Sequence, residues 1–267
     1  MHKSSLNLRK LKQISRWRGL LLLVSLLLGV LFWYLLAANA GLPSFILPSP
    51  AQVAQKFLVT LRNGTLLHHL GVTLVEILLG LLFGTSLGAV LGYWLAKSPL
   101  AEHLLSPYLI ASQSVPMVAI APLLIIWFGP GLLSKTLICT LVVLFPVLIN
   151  TLVGIHEVPQ DLHELMRSLR AKPGQVLRKL EIPAALPVFM AGLRMGATLS
   201  VIGAIVGEMV GSDQGLGFLV NVGRGQYDTA LVFVAVITMM LLSITLYSII
   251  LLIERQLLRW QTWRLKA

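Results

Sequence analysis

The pentapeptide Gly84-Thr85-Ser86-Leu87-Gly88 matches the G-x-S-x-G pattern of a serine nucleophile. That chemistry needs a sharp strand-to-helix turn and a base. Here the pentapeptide lies within a long apolar run, residues 66–96, and His2, His68, His69, His103, His156 and His163 all fall in loops or at the ends of such runs. None is placed to activate Ser86. A phosphate-cradling G-x-x-x-x-G-K-[ST] motif is also missing, since residues 129–135 carry glycines and a lysine in the wrong order and follow no strand. Cys139, the one cysteine, has no partner for a disulfide or a metal and is expected to pack. The sequence therefore predicts no catalytic residue, no metal site, no cofactor held by this chain and no enzyme.

Residues 157–187 are the one long polar loop, and they are patterned. Leu162, Leu165, Met166 and Leu169 recur at i, i+3, i+4 and i+7, which predicts a short amphipathic helix. Asp161 is expected to cap it, with Glu164 three residues on returning the bond as a capping box, and Pro173-Gly174 to end it. A second short stretch follows, with Val176, Leu177 and Leu180 on its apolar side and Arg178 and Lys179 opposite, before Ile182-Pro183. The loop reads as helix, turn, helix.

Polar residues inside apolar runs are the other candidates for a site. Ser112, Gln113 and Ser114 precede Pro116, in a run that also holds Pro107 and Pro122. Proline removes a backbone hydrogen bond that neighbours or water must replace, so this segment either faces a translocation route or makes helix-to-helix hydrogen bonds. Ser200 and Glu208 are candidates for the same route. Glu76, Arg194 and Glu208 are charges at membrane depth, where tethering of helices competes with substrate contact.

These residues need a membrane scaffold. The 267 residues are 57% hydrophobic and 12% charged, against about 25% charged in a soluble domain, and the mean hydropathy is +0.86. Six runs reach the roughly 20 residues that cross a bilayer, near 19–40, 66–96, 104–127, 136–155, 184–210 and 230–253. They do not alternate as barrel strands must, so the expected fold is an all-α membrane protein. Gly80, Gly84, Gly88 and Gly92 form a small-residue ridge in the second run. Gly192, Gly196, Gly203, Gly207 and Gly211 form another in the fifth, which is expected to pack tightly, with a subunit boundary as one place for the contact.

Basic residues near span ends favour the cytoplasmic side. With the N-terminus inside, sixteen lie there (Lys3, Arg9, Lys10, Lys12, Arg16, Arg18, Lys97, Arg167, Arg170, Lys172, Arg178, Lys179, Arg255, Arg259, Arg264 and Lys266), against four outside (Lys56, Arg62, Lys135 and Arg224). Both termini and the 157–187 loop are thus expected inside. The net charge of +11 is read as topology and attraction to anionic lipid, not as binding of nucleic acid. The expected organisation is a basic N-terminal segment at 1–18, a six-helix domain at 19–253 and a basic tail at 254–267, in which Trp260 and Trp263 are interfacial anchors. Residues 51–61 predict an external surface helix. Ala38-Asn39-Ala40 imitates a signal cleavage site, but the apolar core before it exceeds the roughly 7 to 15 residues of a signal peptide, so a retained span is expected.

The run from Glu164-Leu165-Met166 through Arg167-Ser168-Leu169-Arg170-Ala171 to Leu180-Glu181-Ile182-Pro183-Ala184-Ala185-Leu186-Pro187 resembles the EAA loop of ABC-importer permeases. Leu47-Pro48-Ser49-Pro50, Val115-Pro116, Ala121-Pro122, Trp127-Phe128-Gly129 and Gly215-Leu216-Gly217 extend the resemblance over nearly the whole chain, toward the nitrate, sulfonate and taurine branch. Within it, Leu165-Met166-Arg167-Ser168-Leu169, Val206-Gly207-Glu208 and Tyr227-Asp228-Thr229-Ala230-Leu231 are most similar to permeases for hydroxymethylpyrimidine, a thiamine precursor, or for riboflavin. The resemblance implies a type I importer permease of the bacterial inner membrane, working as a homodimer with ABC ATPase subunits that hydrolyse ATP and an external substrate-binding protein. It implies that the loop is the coupling helix, assigning ATPase contact to Asp161, Glu164, Leu165, Met166, Leu169, Arg170, Leu180 and Pro183. Two departures stand out: Leu165 and Met166 replace two alanines, and Arg170 replaces the usual glycine. Aliphatic sulfonate, taurine or nitrate is the alternative cargo. An ion-coupled secondary transporter is more remote, because three membrane charges and no evident repeat suit it poorly.

Overall fold

Where water cannot satisfy backbone groups, each apolar run must close its own hydrogen bonds as a helix. The computed structural model describes residues 4–39 and 41–261, and every regular element among them is helical. His2, Lys3, Trp263, Arg264, Lys266 and the Ala40 end of the cleavage-like tripeptide lie outside the described residues.

Helix α1 (Ser4–Asn39) runs unbroken from the basic segment through the first apolar stretch, followed by α2 (Pro50–Arg62), α3 (Thr65–Lys97), α4 (Pro99–Ser114), α5 (Met117–Phe128) and α6 (Leu132–His156). The loop helix α7 (Gln160–Ser168) follows. Then α8 (Pro173–Val176) passes through a π-turn, Leu177–Glu181, into α9 (Ile182–Gly211), before α10 (Leu216–Gly225) and α11 (Thr229–Leu257). Helix α2 fits the expected surface helix. Its start is a capping box, the Ser49 N–H donating to Gln52 Oε1 (2.9 Å) and the Gln52 N–H to Ser49 Oγ (3.3 Å).

Among the described residues five helices are long and apolar enough to span a bilayer, and α4 with α5 makes a sixth if the pair is counted together. That pair covers the proline-rich third run expected at 104–127 and is broken, for α4 and α5 meet at 93°. The break sits at Val115-Pro116: the proline ring pushes Val115 into an extended conformation (φ −76°, ψ 121°), and helix resumes at Met117. Pro107 and Pro122 are carried inside α4 and α5 without breaking them.

Helix α6 is the centre of the bundle, and glycine puts it there. A Cβ on Gly80 would sit 2.1 Å from Cys139 Cβ, and one on Gly92 would sit 2.5 Å from the Leu148 carbonyl oxygen. Gly84 and Gly88 meet Val143 and Leu144 in the same way. From the other side Gly192 faces Pro146 and Asn150, Gly196 faces Val143, and Gly203 and Gly207 face Cys139 and Ile138, while Gly211 meets Ile125 of α5. The second ridge thus packs within this chain, which corrects the subunit boundary raised for it. Cys139 is fully buried between the two ridges.

Candidate functional site

Helix α7 starts differently from its sequence pattern. Pro159 is the N-cap, without a side-chain cap, and Asp161 lies within the first turn, where its charge complements the positive end of the helix dipole. No capping box forms with Glu164. Its carbonyl accepts from Ser168 Oγ (3.0 Å). The reason is Pro159 itself, whose preset φ starts the helix at Gln160, one residue before Asp161.

The end of α7 is set by hydrogen bonds rather than by Pro173-Gly174. The Arg170 N–H donates to the Arg167 carbonyl (2.8 Å) and the Ala171 N–H to the Met166 carbonyl (3.0 Å), the paired bonds of a Schellman motif. That motif needs a left-handed residue between them, and Arg170 supplies it at φ +51°. The usual glycine position is therefore one that favours glycine, and Arg170 holds the same geometry under strain. α7 buries none of its residues: Leu162, Leu165 and Leu169 are exposed, the last two at 54% and 69%.

The second stretch of the loop is not a separate helix, because α8 and the π-turn run directly into α9. The Pro183 ring would collide with the Lys179 carbonyl in a regular α-turn. A wider π-turn immediately precedes it, with the Ile182 N–H donating to the Leu177 carbonyl five residues back. Leu180 and Pro183 are half-buried there. The π-turn also carries Glu181, buried and ion-paired with Lys97, with the Tyr93 hydroxyl donating to it (3.2 Å) and His163 Nε2 of α7 at 3.2 Å. Sequence reading missed this group, since Glu181 alone in a polar loop carries no periodic signal.

The proposed route residues divide. Ser112, Gln113 and Pro116 line a cavity of about 800 Å³ with Phe145, Asn150 and Met195, between the α4–α5 break, α6 and α9. Ser114 donates to the Ile110 carbonyl (3.2 Å), one turn back. Ser200 and Glu208, the other two route candidates, do not line this cavity. Ser200 is buried and donates to the Ala197 carbonyl (2.8 Å). Glu208 turns away to hold the α9–α10 connection: Oε1 accepts from Thr73 Oγ1 (2.6 Å) and Oε2 from the Gly217 N–H (2.5 Å). Thr73 Oγ1 accepts from the Leu216 N–H (2.9 Å), and His69 Nδ1 from the Gly215 N–H (3.0 Å). Gly215 has φ +106°, and a Cβ there would lie 2.2 Å from the Glu208 carboxyl, so Val206-Gly207-Glu208 and Gly215-Leu216-Gly217 form one interlocked unit.

The remaining membrane charges are tethers. Glu76 and Lys135 form a buried ion pair at 3.0 Å, and Lys135 Nζ also donates to Ser212 Oγ (2.6 Å). Lys135 is thus no surface charge, as the charge count had assumed. Arg194 pairs with Glu254 of α11 (3.1 Å) and lies over the Tyr247 ring. Ser86 is exposed on α3 and donates to the Leu82 carbonyl (2.7 Å), one turn back.

Residues 84–259 match the model of the family described as binding-protein-dependent transport system inner membrane component. The chain belongs to this family. Over 92% of this permease it is 44% identical to the riboflavin transport system permease protein RibX of Chloroflexus aurantiacus, covering 91% of that protein. It is 33% identical to the formylaminopyrimidine transport permease protein ThiX of Halalkalibacterium halodurans (88% and 93% covered). The same identity links it to a putative aliphatic sulfonates transport permease protein, SsuC, of Bacillus subtilis (92% and 88% covered). Its fold is shared with an inward-facing structure of the MetNI methionine ABC transporter, at a TM-score of 0.60 and 22% identity over 70% of this chain and 93% of that one. The chain is an ABC-importer permease: a transport subunit of the inner membrane that works with a binding protein and with partner subunits supplying ATP hydrolysis.

Proposed function

We propose that this permease carries a planar, uncharged nitrogen heterocycle, either riboflavin or a pyrimidine precursor of thiamine. The observation that supports this is the cavity wall, which combines apolar side chains and the Phe145 ring with the carboxamides of Gln113 and Asn150 and the hydroxyl of Ser112. Amides and hydroxyls match the donors and acceptors of a neutral heterocycle. A sulfonate would have to shed water against a wall of this kind without a compensating cation. The relationship to RibX and ThiX points the same way.

The pathway in this reading forms between two copies of the chain. The exposed Tyr108, Ile110, Val118 and Ile126 on α4 and α5 flank the half-cavity and suit burial against a second copy. Both termini and α7 face the cytoplasm. The sixteen-to-four distribution of basic residues supports that orientation. Leu162, Leu165 and Leu169 then present an apolar stripe to the ATPase cleft, and nucleotide-driven closure switches the cavity between outward and inward access.

The test is to purify the binding protein that stimulates this permease and screen it by thermal shift against riboflavin, hydroxymethylpyrimidine, taurine, an alkanesulfonate and nitrate. Stabilisation by riboflavin or the pyrimidine is expected. A tight sulfonate, taurine or nitrate response would refute the assignment.

A further inference from the structure

The geometry points to Glu181 as the positioning residue that carries motion of the coupling helix into the membrane bundle, with His163 as its contact on α7. This rests on the reading that α7 seats on the ATPase. Helix α7 buries none of its own residues, so apolar packing alone does not hold it to the bundle. What ties it is a side-chain junction. His163 Nε2 lies 3.2 Å from Glu181 Oε1, the Tyr93 hydroxyl donates to Oε2 at 3.2 Å, and Lys97 pairs with Oε1 from the last turn of α3. One carboxylate, 1% exposed, therefore joins three separate segments: α7, α3 and the base of α9.

Two features make this junction more than an anchor. Glu181 closes the π-turn that enters α9, and a π-turn inside a long helix is a place where register and axis can change locally. Both helices that meet at Glu181 lead into functional ground: α9 carries Met195, Leu199 and Ile202 into the cavity wall, and α3 packs its glycine ridge on α6, which supplies Phe145 and Asn150. A displacement of His163 is thus passed through Glu181 to the base of α9, whose rigid helix carries it about 21 Å to Met195.

The experiment uses the complex of this chain with its ATPase subunits, in a Cys139→Ala background with Met195→Cys as a reporter in the cavity. Thiol labelling is compared without nucleotide and after trapping with ATP and vanadate. The background is expected to change its labelling rate by roughly tenfold, within the usual range of coupling between two sites. Glu181→Gln and, separately, His163→Phe are each expected to hold the change below about twofold, while the ATPase still co-purifies and the melting temperature stays near that of the background. The half-buried His163→Phe change spares the buried carboxylate and its Lys97 partner, which guards against a simple folding defect. A full labelling response in either variant would overturn the inference alone. If no ATPase co-purifies with the background, the docking reading falls, and the inference with it.

Discussion

Replacing Arg170 by glycine tests the account of how the coupling loop is shaped. Arg170 sits at φ +51°, where a side chain crowds the backbone at a cost of about 1–2 kcal/mol. Glycine avoids that crowding but gives up more backbone entropy on ordering, roughly 0.5–1 kcal/mol. The net gain expected for Arg170→Gly is therefore about 1 kcal/mol, close to fivefold in the local opening equilibrium. The gain should appear where the Schellman bonds are, at the Arg170 and Ala171 amides that donate to Arg167 and Met166. Hydrogen exchange of a peptide covering 160–172 in the purified protein reads it, since the motif opens locally rather than with the whole bundle. Exchange should slow about fivefold in Arg170→Gly and stay near the original rate in Arg170→Ala, which keeps the strain. Arg170→Val should exchange faster, because a β-branched residue suits the left-handed region worst. Unchanged exchange in Arg170→Gly, or slower exchange in Arg170→Val, would refute the argument.

Three other perturbations follow from the packing. Lys135→Met leaves Glu76 buried without its partner and should cost about 3–5 kcal/mol, while adding Glu76→Gln should recover most of the lost melting temperature in detergent; additive losses would show that the pair is not a unit. Gly80→Val drives carbon into Cys139 and should cost about 3 kcal/mol or more, whereas the same change at Gly71, where a Cβ meets nothing within 4 Å, should leave folding yield close to the parent. Leu165→Asp puts a charge on the exposed stripe of α7 and should abolish ATPase co-purification while leaving the melting temperature of the free permease within about a degree, as a surface change does; an ATPase that still co-purifies would remove Leu165 from the docking face.

Local pattern was enough to find the long apolar helices, because a run of apolar residues in lipid has one way to satisfy its backbone. It was enough for the small-residue ridges and for the exposed leucines of α7, which repeat at the helical period and need no knowledge of a neighbour. Arg170 could be marked as unusual from the EAA resemblance alone. Its consequence, a left-handed Schellman residue, needed the hydrogen bonds of a finished turn.

Partnership was different. Glu76 and Lys135 are 59 positions apart, Thr73 and Glu208 are 135 apart, and Lys97 and Glu181 are 84 apart. No periodicity announces such pairs, so Glu208 was open between tether and route, and Lys135 read as a surface charge, until the bundle closed around them. A charge in a membrane helix must be neutralised or wetted, which makes it conspicuous in sequence. Which of the two happens depends on what α6 and the glycine ridges bring within 3 Å. The sequence by itself determined a set of apolar helices with an amphipathic loop. Tertiary packing decided that the break at Pro116 walls a cavity, that the second glycine ridge is internal, and that Glu181 joins the loop helix α7 to the bundle. The physical reason is that burial and hydrogen bonding between distant segments are properties of the closed structure, whereas helix formation in lipid is a property of each segment alone.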